Sequence, residues 1–72
     1  DFIMLNTTPY AGIRCEIMIY NSLGQIFYWQ TFDALPFDPI RLDVSKYEKG
    51  MYGIQFWIQE TDKIEEKFLI MR

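Results

Sequence analysis

The sequence predicts an all-β domain, an antiparallel sandwich of six strands. Three observations point there. Apolar residues alternate with period two along several stretches, turn formers recur about every eight to twelve residues, and no stretch has the apolar stripe of an amphipathic helix. The two Trp, five Tyr and six Phe strengthen the reading, because aromatic side chains fit a pleated, half-buried surface.

Phe2-Ile3-Met4-Leu5 is a short apolar run closed by the turn formers Asn6-Thr7-Thr8-Pro9, and predicts a short first strand near an edge. Ile13 to Tyr20 alternates cleanly. Ile13, Cys15, Ile17 and Ile19 lie on one face, with Arg14, Glu16, Met18 and Tyr20 on the other, the pattern of a half-buried strand. Asn21-Ser22-Leu23-Gly24 then suits a type I turn whose last residue takes positive φ beside a bulge. Gln25 to Phe32 returns as the second arm of a hairpin, with Ile26, Tyr28 and Phe32 set against Phe27, Trp29 and Thr31. Such a strand is either buried on both sides or presents an aromatic face to a partner.

Asp33 to Pro39 is the longest connection. Its two prolines fix φ and remove two backbone donors, so it belongs outside any sheet and predicts a crossover between sheets, with Phe37 as a lid on the core. Ile40, Leu42 and Val44 alternate with Arg41 and Asp43 as a short strand. Ser45 to Gly50 is too short for a helix and predicts one turn or a tight corner, with Tyr47 inward. The following strand sets Tyr52, Ile54, Phe56 and Ile58 against Met51, Gly53, Gln55, Trp57 and Gln59. After the polar turn Glu60 to Lys63, Ile64 to Met71 closes the fold, with Phe68 and Ile70 inward and Glu65, Lys67 and Leu69 outward. Its charges suit an edge that resists pairing with other strands.

Seventy-two residues make a single domain, 1–72, in which about 60% of the unfolded surface is buried. Seven Lys/Arg against ten Asp/Glu give net −3, and the basic residues are scattered, which argues against nucleic acid as a partner. The apolar runs fall far short of the ~20 residues of a spanning helix, so membrane insertion is not expected. No signal peptide is visible, and a chain starting at Asp1 reads as a processed product or a fragment, so this says nothing about export.

Catalytic chemistry finds little to work with. The absence of histidine removes Ser-His-Asp and Cys-His arrangements and imidazole ligation. Cys15, alone, forms no intramolecular disulfide and reads as a small core hydrophobe. The glycines match neither dinucleotide nor phosphate-loop spacing. Asp33, Asp38 and Asp43 recur every five residues, but prolines interrupt any calcium loop. The expectation is no enzyme, no cofactor and no metal. Trp29 and Trp57, if outward on neighbouring strands, could form a stacking platform for a sugar or a protein; the plainer reading is that they cover a small core.

Three segments in this order, "EIMIYNSLGQIFYWQTF", "IRLDVSKYEKGMYGIQFWI" and "EKFLIMR", resemble the C-terminal sorting domain of the type IX secretion system. The resemblance rests on Tyr20, Asn21, Leu23, Gly24 and Gln25 in the hairpin; Leu42, Asp43, Val44 and Ser45 at the corner; Gly50 and Tyr52 in the long strand; and Lys67 with Arg72 at the end. It implies an immunoglobulin-like sandwich of six to seven strands at the end of a secreted or surface protein of Bacteroidetes-type, Gram-negative bacteria. There the domain is a non-enzymatic address, read by the outer-membrane machinery and usually removed by a sortase-like protease. A second resemblance, to small immunoglobulin-like domains secreted by gut Bacteroides, implies an independent secreted or periplasmic domain binding a protein or, less readily, a glycan. The sorting reading expects recognition through the last two strands and the independent domain through Trp29 and Trp57; together the candidate recognition surface is Trp29, Trp57, Lys67, Leu69 and Arg72.

Overall fold

The computed structural model describes residues 2–59 and 61–71. Its strands are β1 (Phe2–Leu5), β2 (Cys15–Asn21), β3 (Ile26–Phe32), β4 (Ile40–Asp43), β5 (Gly50–Ile58) and β6 (Asp62–Ile70), with a 3-10 turn at Thr8–Tyr10. They form two antiparallel sheets packed as a sandwich, β1-β4 and β3-β2-β5-β6. The connections after β1, β3 and β4 each cross between the sheets.

The predicted alternation explains the core. Cys15, Ile17 and Ile19 of β2 and Tyr52, Ile54 and Ile58 of β5 are buried on the inner face, opposite Leu5, Leu42 and Val44 from the smaller sheet's side. Ile70 completes that layer. Cys15 is a core residue, as its phase predicts, and burial first and Glu16 second push its thiol pKa up. Thr7 is buried as well.

The structure departs from the sequence reading in four places. β2 begins at Cys15, because Gly12 and Ile13 bond instead to Leu35: the Gly12 N–H donates to the Leu35 carbonyl (2.8 Å) and the Leu35 N–H to that of Ile13 (3.0 Å). Leu35 thereby fills the place expected of Phe37, whose ring is 77% exposed and does not lid the core. β6 starts at Asp62, because Gln59 takes a left-handed φ of 52° and tightens the turn. Finally, a bulge in β3 shifts the register between Ile19↔Tyr28 and Tyr20↔Ile26. Phe27 is the extra residue, and its ring meets Tyr47 and Tyr52 at centroid distances of 5.0 and 5.4 Å. Ile26 accordingly lies with Tyr20 on the outer face and Phe27 on the inner, the reverse of strict alternation.

The corner between β4 and β5 is built as expected. The Ser45 N–H donates to Asp43 Oδ1 (2.9 Å), which holds the Asp43 carboxyl below its ordinary pKa. Tyr47 turns inward, its ring 5.2 Å from that of Tyr52. Tyr52 also stacks on Phe68 (5.4 Å) and donates its hydroxyl to the Glu48 carbonyl at 2.7 Å.

Candidate recognition surface

Residues directly opposite in an antiparallel sheet share a face, so the pairing defines the outer surface of the larger sheet. Crossing from β3 to β6, its rows read Thr31, Glu16, Trp57, Lys63; then Trp29, Met18, Gln55, Glu65; then Ile26, Tyr20, Gly53, Lys67. Met51 and Leu69 pair beyond them. Neither strand of the smaller sheet pairs with this one, so the face belongs to the larger sheet alone.

Four of the five expected surface residues lie on this face: Trp29, Trp57, Lys67 and Leu69. Arg72 lies outside the described residues. The two tryptophans point outward but not from neighbouring strands, since β2 runs between them and standard sheet spacings put their Cα atoms about 12 Å apart. Trp57 is half-buried and engaged: Lys63 Nζ sits 5.4 Å from its ring centroid, and its indole N–H donates to Gln55 Oε1 at 3.3 Å. Trp29 is 58% exposed. Lys67 and Leu69 stand beside Gly53 and Met51 on the other side of the sheet.

The middle of the face is locked by Tyr20. Its ring lies across Gly53 of β5, where an added Cβ would meet the ring's Cζ, hydroxyl and Cε2 atoms, the last at 2.8 Å. Beyond Gly53 the Tyr20 hydroxyl donates to Glu65 Oε2 of β6. The bond raises the tyrosine pKa and, with help from Gln55, Lys63 and Lys67, lowers that of Glu65. One side chain thus ties three strands, with a glycine as the gap it crosses.

Sequence reasoning left Met18, Ile26 and Met51 out of this surface. For Met18 and Met51 the signal was present, an apolar residue on the phase opposite the core. For Ile26 it was not, because the bulge reverses its side. The carboxylates weighed for calcium are dispersed. Asp33 forms an exposed 3.3 Å ion pair with Arg14 and Asp43 caps Ser45. Among the described residues no group of three His, Cys, Asp or Glu could hold a metal, and no helix is long and apolar enough to cross a membrane.

The model of a family described as "Secretion system C-terminal sorting domain" matches residues 1–71. No curated protein and no solved structure matches the chain.

Proposed function

The chain belongs to the family of type IX secretion system C-terminal sorting domains, and on that premise we propose that residues 1–72, as one folding unit, direct an attached protein across the outer membrane of a Gram-negative bacterium to its surface. The family is one of sorting signals rather than enzymes, and it serves proteins that are exported to the cell surface or secreted. The match over residues 1–71 carries this reading, since it covers both sheets and every connection. The motif residues Asn21, Gly24, Asp43 and Tyr52 form a turn, a corner and a core contact, so recognition falls to the surface they support.

That surface is the outer face of the larger sheet. It exposes two separate apolar pairs, Ile26 with Trp29 on β3 and Met51 with Leu69 on β5 and β6, and paired apolar exposure favours a protein contact. Lys67 supplies a charge at its β6 side. The test is a reporter fused ahead of residues 1–72 in a host with this secretion system. Reporter at the cell surface or in the medium is the expected result, and reporter retained in the periplasm overturns the reading.

The alternative, an independent domain binding a glycan through paired tryptophans, has weak support. Trp57 is committed to Lys63 and Gln55, which leaves Trp29 as the accessible ring.

A further inference from the structure

The larger sheet ends in two free edges of opposite character. β6 carries Asp62, Lys63, Glu65, Glu66 and Lys67, the charged dressing that keeps an edge from pairing. β3, IFYWQTF, carries no charge and no proline over seven residues. In the smaller sheet β4 holds Arg41 and Asp43, and β1 is only four residues long. β3 is therefore the long unprotected edge of the described molecule.

Its backbone is turned outward where it counts. The Asn21 N–H donates to the Gln25 carbonyl on the β3 side, and Gln59 donates to the Arg14 carbonyl from the β5 side. Counting the antiparallel alternation from these bonds, Cys15, Ile17 and Ile19 bond to β3, while Glu16, Met18 and Tyr20 bond to β5. The β3 residues opposite Glu16 and Met18 are Thr31 and Trp29, so both turn their N–H and C=O groups away from the sheet. The Thr31 carbonyl receives the Gln30 side-chain amide at 3.4 Å, in the place an incoming strand would occupy.

We infer that the β3 edge is where the secretion machinery engages this domain, by adding one extended, uncharged strand alongside Trp29 and Thr31. The inference rests on the sorting reading above and names how that signal is held. Main-chain bonds supply the grip in strand addition, and alternate side chains supply selectivity. Here the selecting contacts are Ile26 and Trp29, 51% and 58% exposed on the side where the new strand continues the apolar outer face. Charge favours this occupant: a charged segment would be desolvated against β3 with no counter-charge there, and a second copy brings its own net −3 to a molecule of the same sign.

The experiment uses the reporter fusion with three variants. Thr31→Pro removes an outward N–H that β2 does not use, Thr31→Lys places a charge on the edge, and Phe37→Lys places the same charge on the exposed crossover, outside both sheets. Wild-type export with a roughly ten-fold loss in both Thr31 variants, the scale of one lost interfacial hydrogen bond, and none in Phe37→Lys, is the expected result. A urea melt of each isolated domain separates lost recognition from lost folding, and Thr31→Lys decides if Thr31→Pro unfolds. Equal export of folded Thr31→Lys overturns the edge assignment and leaves the sorting reading standing, whereas failure of the wild-type fusion removes the sorting reading itself. A concentration-dependent dimer of the wild-type domain, broken by Thr31→Lys, assigns the edge to a second copy and overturns the inference.

Discussion

Tyr52 shows how much one side chain carries in a molecule this thin. It joins three aromatic rings from β3, the corner and β6, and its hydroxyl reaches the Glu48 carbonyl. Tyr52→Ala is expected to cost ~3–5 kcal/mol, enough to unfold a domain of this size, while Tyr52→Phe loses about 1 kcal/mol with the hydrogen bond alone. Urea melts of the two variants check this, and a loss near 1 kcal/mol for alanine is incompatible with its core position. Gly53 has the opposite economy, since its value is the side chain it lacks. Gly53→Ala forces the Tyr20 ring off β5 and breaks its bond to Glu65, at a cost of ~1–3 kcal/mol. Adding Tyr20→Ala should recover part of that loss in a double-mutant cycle, because the clash then has no partner. Additive losses would count against the contact. Tyr52 was legible in the sequence from its phase and its place after Gly50. The pairing of Gly53 with Tyr20 was not, because it depends on a cross-strand register 33 residues apart that no local pattern encodes.

At the scale of elements, what periodicity could see was seen. The faces of β2, β5 and β6 agree residue by residue with the alternation, and the Asn21–Gly24 turn has the expected Gly24 φ of 82°. What it missed were places where one residue is gained or where backbone bonds leave the sheet. The β3 bulge hid because both faces of that strand carry large apolar groups, so a one-residue slip leaves the pattern looking the same. Leu35 and Phe37 exchanged roles because two apolar residues flank one proline and only the bond to Gly12 chooses between them. The outer face was legible in part: Trp57, Lys67 and Leu69 by phase, and Trp29 as an aromatic whose burial the sequence left open. The β3 register has its own test. In the isolated domain the Gln30 and Phe32 amides, bonded to β2, should exchange with solvent far more slowly than those of Trp29 and Thr31. The reverse pattern, with Trp29 and Thr31 protected and Gln30 and Phe32 exchanging, would show the register to be off by one.

For the whole molecule, two strands cover four. Against that uneven layering the inner face is not fully closed, and a groove of about 360 Å³ remains between β1 and β5/β6, lined by apolar residues such as Ile3, Ile54 and Phe56 and also by Asn6, Glu66 and Lys67. Acid acts on the molecule as a whole through carboxylates with lowered pKa values. Asp43 is held down by the Ser45 amide and Glu65 by the Tyr20 hydroxyl. Each binds its proton more weakly folded than unfolded, so its contribution is fully present above the ordinary carboxylate range and is lost as pH falls through the lowered folded value. Both groups are exposed, so the effect is small. The urea midpoint should fall modestly between about pH 5 and pH 3, and Glu65→Gln should flatten part of the slope. An unchanged slope would mean that the Tyr20 bond does not distinguish the folded carboxylate.

The unequal sheets also make the molecule directional under tension. β1 is tied to β4 by four residue pairs, Phe2↔Asp43 to Leu5↔Ile40, and bonds to no strand of the larger sheet. A load applied at Phe2 opens those pairs one after another, like a zip, before it reaches the ladders of β2, β5 and β6. A cargo pulling on the start of the domain would peel off the smaller sheet first and leave β3-β2-β5-β6 paired. Stretched between Phe2 and Met71 in an optical trap, the domain should yield in two steps, the first a short extension at low force. A single rupture would mean that the two sheets share the load.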